Sequence, residues 1–254
     1  MDLGLQGRTA LVTGASKGIG RAVADRLAAE GCALWLVARH LDDLVVAADE
    51  IEHRHHVTAT PLAADLSISS EVDRVWDSVP TVDVVVNNAG AIPSGSIADV
   101  DESTWRTAWD LKVHGYINLT RHALADMSER GSGVIINVIG AGGEKPTAGY
   151  IAGAGGNAAL MAITRALGAT SRRHGVRVVG VNPGLIHTER MESMLQRNAE
   201  LRFGDAGRWR ELLDPRDPPG EPDHIAAAVA FLASDLSANT TGTIVTIDGG
   251  ASAR

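Results

Sequence analysis

Short apolar runs alternate with stretches of helical periodicity along nearly the whole chain of 254 residues. Runs of strand length are Thr9–Thr13, Ala33–Ala38, Val57–Ala63, Val82–Val86, Val134–Val138, Val176–Val181 and Thr243–Ile247. The helical stretches between them are Gly18–Glu30, Leu41–Glu52, Ser69–Ser78, Glu102–Arg130, Tyr150–His174 and Asp223–Leu232. Because parallel strands need crossover connections, which helices supply, this order predicts a doubly wound α/β sheet. We expect about seven parallel strands with helices on both faces.

The segment 189–222 interrupts this alternation. It is polar and rich in Arg, and it ends in Asp214-Pro215-Arg216-Asp217-Pro218-Pro219-Gly220. A long excursion after the carboxyl end of a strand lies over the ligand crevice in such folds, so we interpret it as a substrate lid. A surface insertion without a role is the alternative. No linker separates two domains, and residues 1–254 are predicted to form one.

Composition excludes several classes of protein. The single Cys32 cannot form an internal disulfide or a thiolate metal cluster, which favours a reducing cytoplasm. The net charge of −8 opposes binding to nucleic acid. Without a secretion signal or an apolar run of about 18 residues, no membrane association is expected. The cluster His53-Arg54-His55-His56 is too tightly spaced for a metal site, so no metal is predicted and small molecules are the expected partners.

A glycine-rich turn joins the first strand to the first helix. It reads Thr13-Gly14-Ala15-Ser16-Lys17-Gly18-Ile19-Gly20. Glycines permit a tight turn and close approach of the backbone to a pyrophosphate, which then lies at the positive end of the helix dipole. The turn therefore predicts a Rossmann-type dinucleotide site, with Gly14, Ser16, Lys17, Gly18, Ile19 and Gly20 as cofactor-binding residues.

The spacing Gly-x-x-x-Gly-x-Gly resembles the short-chain dehydrogenase/reductase family. Four further motifs carry the resemblance: Asp65-Leu66, Asn87-Asn88-Ala89-Gly90, Asn182-Pro183-Gly184-x-Ile186-x-Thr188 and Asp248-Gly249-Gly250. The resemblance covers nearly the whole chain and implies a bound nicotinamide cofactor. It adds as cofactor-binding residues Asp65, Leu66, Asn88, Ala89, Gly90, Asn157, Pro183, Gly184, Ile186 and Thr188.

The end of the second strand bears on which cofactor binds. An acidic residue there would bind a ribose 2′-hydroxyl and repel a 2′-phosphate. This strand instead ends Leu36-Val37-Ala38-Arg39-His40. The Arg39 guanidinium can donate two hydrogen bonds to a phosphate, and Lys17 is a second cation. NADP(H) is favoured over NAD(H), which stays possible, and the alternative is that both cations are solvated surface residues.

The resemblance also implies a catalytic set of Asn, Ser, Tyr and Lys. The positions that match this set carry Lys112, Gly140, Gly153 and Asn157. No Tyr-x-x-x-Lys occurs anywhere, since Thr120 follows Tyr116 and Ala154 follows Tyr150 at that spacing. Loss of the Tyr phenol removes the family's proton donor, so a divergent member with a non-standard active site is predicted.

Three residues are candidates for the altered chemistry. Lys112 and Asn157 exchange the family's Asn and Lys positions, and a long Lys side chain could return an ammonium to the ribose region. Lys112 could equally be a solvent or interface cation. Tyr150 lies one helical turn before Gly153, so it could be a displaced acid or simply line the pocket. We take Lys112, Tyr150 and Asn157 as the candidate catalytic residues.

These observations predict an NADP(H)-dependent oxidoreductase that acts on an unidentified carbonyl or alcohol. The alternatives are an inactive NADP(H)-binding sensor or partner subunit, and non-redox chemistry in the same fold. The family's dimer helices imply a homodimer or homotetramer. Gly153, Gly155 and Gly156 weaken one helix, which indicates close approach of another helix or a ligand.

Overall fold

One parallel sheet forms the centre of the molecule. The computed structural model describes residues 2–254, and the strand order is β3-β2-β1-β4-β5-β6-β7. The strands are β1 (Thr9–Thr13), β2 (Ala33–Ala38), β3 (Ala59–Ala63), β4 (Val84–Asn87), β5 (Gly133–Val138), β6 (Val176–Pro183) and β7 (Ile244–Ile247). Every neighbouring pair is parallel. The predicted doubly wound sheet of seven strands is confirmed.

Helices cover both faces of the sheet. They are α1 (Gly18–Ala29), α2 (Leu41–His55), α3 (Ser69–Ser78), α4 (Glu102–Trp109), α5 (Gly115–Arg130), α6 (Ile151–Ser171), α7 (Glu189–Phe203) and α8 (Pro222–Ala233). Successive residues of β1 point to opposite faces: Val12 packs with α1 and α8, and Leu11 packs with α3 and α5. Strands buried on both faces explain why their sequences are continuously apolar.

The helical stretch predicted over residues 102–130 contains a π-helical turn. Asp110–His114 form this turn between α4 and α5. Asp101 caps α4 by accepting a hydrogen bond from the Thr104 backbone N–H at 2.7 Å. Just after the turn, Gly115 lies so close to the Leu66 carbonyl that a Cβ atom would be 2.8 Å away. The turn carries Lys112, and such turns are frequent at functional sites.

The segment 189–222 is more regular than the sequence predicts. It contains α7 and a 3-10 helix, Ala206–Leu212. Met191, Leu195, Ala199 and Trp209 form a small apolar core between them. Pairing of Ile186 with Gly220 closes the base of the segment. This core is separate from the main one, so α7 does not pack against the sheet. The alternation of strands and helices that predicted the other elements therefore does not predict α7. Within residues 2–254, no helix combines the length and apolar character required to cross a membrane.

Close packing of α6 against the β6–β7 edge gives a first prediction. A Cβ atom at Gly168 would overlap the Gly242 backbone and lie 2.6 Å from the Val178 carbonyl oxygen. We expect Gly168→Ala to lower the free energy of unfolding by about 1–3 kcal/mol, because backbone cannot move away cheaply. Urea unfolding measures this change. Gly149→Ala is the control, since a Cβ atom there would have no neighbour within 4 Å. Equal stability of the two variants would contradict the packing described.

Candidate active site

A crevice of about 690 Å³ opens at the carboxyl ends of the strands. It lies where β1 neighbours β4, the point at which the strand order reverses and where ligands bind in open α/β sheets. The glycine-rich turn and the loop after β4 form one side. The residues after β5 and β6, together with the start of α7, form the other. Its size is within the range of cofactor and substrate sites.

The end of the glycine-rich turn, where α1 begins, presents free backbone donors to this crevice. Gly14 and Gly18 have φ values of +66° and +58°, which favour glycine. A Cβ atom at Gly20 would overlap the Gly14 carbonyl oxygen, so α1 packs directly on the turn. No side chain caps the N-terminus of α1. Its first N–H groups therefore remain available to an anion, and the helix dipole favours negative charge there.

Thr13 connects the glycine-rich turn to the loop after β4. Its Oγ1 accepts hydrogen bonds from the backbone N–H groups of Asn88 at 2.8 Å and Ala89 at 3.0 Å. Asn88 Nδ2 returns a hydrogen bond to the Thr13 carbonyl at 3.0 Å. These bonds fix the glycine-rich turn and the loop after β4, which face each other where the strand order reverses.

Behind these loops, Asn87 Nδ2 donates to Asn137 Oδ1 at 2.9 Å. Asn137 Nδ2 donates in turn to Thr164 Oγ1 at 2.9 Å. Asn137 therefore joins side chains of β4 and α6. The network ties the strands below the crevice to α6, which borders it.

Two cations lie at the entrance next to β2. Arg39 is exposed and borders the crevice. Lys17 Nζ forms an ion pair with Glu189 Oε2 of α7 at 3.1 Å, so the first turn of α7 contacts the glycine-rich turn. Asp65 lies behind this entrance and accepts two hydrogen bonds from Ser67. Burial opposes ionisation of Asp65, but the Ser67 hydrogen bonds and the charge of Arg39 keep its pKa below the ordinary value.

Most of the predicted cofactor residues border the crevice. They are Gly14, Ser16, Lys17, Gly18, Ile19, Arg39, Leu66, Asn88, Ala89, Gly90, Asn157, Pro183, Gly184 and Thr188. Gly20 and Asp65 instead support the turn and the β3 loop from behind. Ile186 is buried at the base of the 189–222 segment.

Lys112 is buried at the inner end of the crevice. Its Nζ donates hydrogen bonds to Tyr116 Oη and to the Val138 carbonyl, both at 2.7 Å. Tyr116 Oη donates to the same carbonyl at 2.9 Å. Burial, with a smaller contribution from the nearby Arg190 guanidinium, lowers the pKa of Lys112 to about 7. The amine therefore changes protonation state near neutral pH, as a general acid or base requires.

Tyr150 occupies the space where a side chain at position 153 would begin. A Cβ atom at Gly153 would overlap the Tyr150 ring, 2.6 Å from Cε2. On its other side the ring approaches Gly142, where a Cβ atom would be 3.2 Å from Cδ1. Burial raises the pKa of Tyr150, although Arg190 opposes this, so the phenol stays protonated at neutral pH. The ring forms a wall of the crevice and requires glycine at 153.

Asn157 fills the space beside Gly140 in the same way. A Cβ atom at Gly140 would be 2.9 Å from Asn157 Nδ2, and Gly140 has a φ of +140°. Asn157 is 3% exposed, and its Oδ1 has no hydrogen-bond partner within the described part of the chain. A buried amide oxygen without a partner is unfavourable unless a ligand supplies the donor. This atom is therefore a candidate ligand contact.

Two residues of the site, Tyr116 and Arg190, are not among the residues predicted from the sequence. Tyr116 lies one turn after Lys112, and that spacing is the signal that could have paired them. Arg190 of α7 donates hydrogen bonds to the backbone carbonyls of Gly90 and Ile92, the latter at 2.8 Å. No local motif identifies Arg190, because its partners belong to a distant loop.

Of the two explanations for the glycines of α6, another helix or a ligand, a helix is the neighbour at Gly155 and Gly156, while Gly153 faces Tyr150. A Cβ atom at Gly155 would be 3.4 Å from Trp109 Cζ2, and one at Gly156 would be 3.3 Å from Trp109 Nε1. Trp109 Nε1 also donates to the Ala152 carbonyl at 2.9 Å. No metal-binding group of His, Cys, Asp or Glu side chains occurs among residues 2–254.

Fold and crevice together define an α/β protein of the dinucleotide-binding type. The sequence model of the short chain dehydrogenase family matches residues 8–199, and the chain belongs to this family. The oxidoreductase class predicted from the sequence, which acts on CH–OH or C=O groups, is thereby confirmed.

Individual relatives agree with this assignment. The chain is 34% identical to cis-4-hydroxycyclohexanecarboxylate dehydrogenase of Sinomonas cyclohexanicum over 249 residues, 96% of each chain. Its structure is similar to L-sorbose reductase of Gluconobacter frateurii complexed with NADPH and L-sorbose, with a TM-score of 0.90, 29% identity and 98% of each chain covered. It is also similar to a variant of actinorhodin polyketide ketoreductase with NADPH, with a TM-score of 0.92, 27% identity and 98% of each chain covered.

The contact between Tyr150 and Gly153 predicts a coupling between the two positions. We expect Gly153→Ala alone to destabilise the protein, because the Tyr150 ring must leave its place. In a Tyr150→Ala background the same change should be neutral or stabilising by up to about 1 kcal/mol, since alanine favours a helix more than glycine does. A double-mutant cycle of unfolding free energies measures this coupling.

Gly155→Ala is the matched control in the same helix. A Cβ atom there makes only an ordinary contact with Trp109, so its effect should not depend on Tyr150. An additive cycle for positions 150 and 153 would show that the ring does not occupy this space.

Proposed function

We propose that this protein is an NADP(H)-dependent oxidoreductase that interconverts a carbonyl compound and an alcohol, with Lys112 as the proton donor and acceptor. The observation that carries the proposal is the position of the buried Lys112 amine at the inner end of the crevice that begins at the uncapped turn of α1. The NADPH complexes of similar reductases support the choice of cofactor.

Residues of the crevice fit such a cofactor. The free N–H groups of the glycine-rich turn suit its pyrophosphate. Arg39 and Lys17 suit a 2′-phosphate, although Lys17 must then share its charge with Glu189. Asn157 Oδ1, which lacks a donor, is positioned to accept a hydrogen bond from a ribose hydroxyl. When bound, NADPH supplies the hydride.

Lys112 can supply the proton. The Lys112 nitrogen has three positions besides its bond to carbon. Two hold N–H groups that donate to Tyr116 Oη and to the Val138 carbonyl. The third holds a proton in the ammonium form and a lone pair in the amine form. We propose that this position serves the substrate oxygen: the ammonium protonates the alkoxide formed in reduction, and the amine removes the hydroxyl proton in oxidation.

This assignment makes the active site a non-standard one. Gly140 and Gly153 provide no side chain to the substrate. Tyr150 shapes the wall, and Asn157 holds the cofactor, so of the three candidate catalytic residues Lys112 carries the proton transfer. The 189–222 segment covers the substrate, because Glu189, Arg190 and Met194 border the crevice.

For assembly we propose a homodimer or homotetramer. Ile117 and Leu124 of α5, with Ile163 and Leu167 of α6, border an apolar groove on the outer face of these helices. Apolar grooves of this kind are buried in obligate interfaces.

The cofactor proposal predicts tighter binding of NADPH than of NADH. We expect Arg39→Ala to weaken NADPH binding at least about tenfold, the equivalent of one charge-assisted phosphate contact, and to leave NADH binding unchanged. Titration of nucleotide fluorescence measures both constants. A higher affinity for NADH, or equal losses for the two nucleotides, would contradict the role of Arg39.

The proton-donor proposal predicts a specific pH profile. Reduction needs the ammonium form, so its kcat/KM should fall as pH rises through about 7, and oxidation should show the opposite limb. We expect Lys112→Met to lower both rates by about a hundredfold and to remove the limb. Steady-state kinetics from about pH 5 to about pH 9, roughly two pH units on either side of the pKa, give both profiles.

Lys112→Arg separates charge from proton transfer, because a guanidinium keeps the charge but does not release its proton. It should not restore activity. Wild-type rates in Lys112→Met would refute the proposal, and full activity in Lys112→Arg would show that the charge alone suffices.

A further inference from the structure

Lys112 and Arg190 both border the crevice, and neither forms an ion pair within residues 2–254. Lys112 is buried, whereas Arg190 is exposed and donates to the backbone carbonyls of Gly90 and Ile92. Lys145 also borders the crevice, but its Nζ donates to oxygens of Ala251 and of Arg254, the last residue of the sequence. Lys17 is paired with Glu189.

The carboxylates that border the crevice belong to Asp43, Glu189 and Asp248, and none of them forms an ion pair with Lys112 or Arg190. Asp43 belongs to the first turn of α2, at the entrance beside Arg39. Asp248 accepts hydrogen bonds from the backbone N–H groups of Gly250 at 2.8 Å and Ser252 at 2.7 Å, so its oxygens are already engaged. A cation without a carboxylate partner attracts and orients anions.

Arg190 is the cation best placed to hold such an anion. It belongs to the first turn of α7, and its two hydrogen bonds to the loop after β4 carry the guanidinium across the crevice. Those bonds use two of its five N–H groups. The remaining groups can donate to a carboxylate in the paired geometry that guanidinium favours. Arg190 donates to the Gly90 carbonyl, and a Cβ atom at Gly90 would be 3.5 Å from Lys112 Nζ, so Arg190 and the proposed proton donor contact the same residue.

We infer that the substrate is a carbonyl compound that carries a carboxylate, and that Arg190 binds this carboxylate while Lys112 faces the carbonyl oxygen. The inference rests on the proposed function and adds the substrate class to it. One fixed guanidinium matches a single carboxylate in charge and shape. Ile92, Ile139 and Tyr150, which border the same end, offer an apolar surface for the carbon skeleton.

Matched acids and esters test the inference without turnover. Pyruvate, levulinate and benzoylformate are titrated by calorimetry into the full chain, with and without saturating NADP⁺, and compared with their methyl esters. The ester keeps the carbonyl and removes the charge. The oxidised nucleotide cannot reduce a ketone, so binding is measured alone. We expect at least one acid to bind about tenfold or more tightly than its ester, as a charge-assisted pair of hydrogen bonds provides.

Variants of Arg190 assign the preference to this residue. Arg190→Gln should bring the acid-to-ester ratio close to one, and Arg190→Lys should retain part of it. Arg197→Gln is the matched control, because Arg197 is exposed on the same helix and does not border the crevice. It should leave the ratio unchanged. Thermal unfolding of each variant shows whether α7 remains folded.

Several results would overturn the inference. Equal binding of every acid and its ester is one, and an unchanged ratio in Arg190→Gln is another. A third is loss of NADP⁺ affinity in Arg190→Gln with the ratio intact, which would assign Arg190 to the cofactor. Failure of the proposed function would look different: NADPH would not bind, or no carbonyl would be reduced, whatever the preference for acids.

Discussion

The structure depends on how β1 and β4 are held together at the reversal of the strand order. Parallel pairing aligns their carboxyl ends, and the Thr13 hydroxyl then accepts hydrogen bonds from two backbone N–H groups of the opposite loop. Without that hydroxyl, two partly buried donors would lose their partner, at a cost of at most about 1–3 kcal/mol each. The same bonds set the separation between the glycine-rich turn and the loop that contacts Lys112 and Arg190. The proposed cofactor site and the proposed proton donor therefore share one support.

Around the inner end of the crevice, side chains and glycines have complementary positions. The Tyr150 ring lies over Gly153, and the Asn157 amide lies against Gly140. A larger residue at either glycine would displace its neighbour, so the four positions act as one packing unit. Protein interiors are close-packed, so the space that a side chain at 140 or 153 would occupy is filled by Asn157 or Tyr150. The glycines at 140 and 153 thus leave a filled wall and not an empty cavity.

Periodicity was sufficient to predict the central elements, because buried strands and amphipathic helices have distinct patterns. The bounds of β1 and β2 agree with the prediction, while β4 begins two residues late, after Asp83, whose carboxylate accepts a hydrogen bond from the Thr9 backbone N–H. Contacts between distant segments had no such signal. The burial of Lys112 depends on a π-helical turn, and the position of Arg190 depends on how α7 folds back. Neither the burial of Lys112 nor the position of Arg190 can be predicted from a local sequence pattern. Only the contact between Lys112 and Tyr116, four residues apart, had a signal in the sequence.

Burial of Lys112 is costly, which bears on its role. A Lys whose pKa falls from 10.5 to about 7 destabilises the folded state by on the order of 4 kcal/mol at neutral pH. The penalty is complete below pH 7 and disappears as pH rises above the unfolded value, since the unfolded chain alone binds the proton in between. Domains are stable by only about 5–15 kcal/mol, so this is a large fraction. Methionine would fill the same space without the penalty. An amine held by two oxygen acceptors at the end of a crevice is therefore poorly explained by stability, and it is well explained by proton transfer.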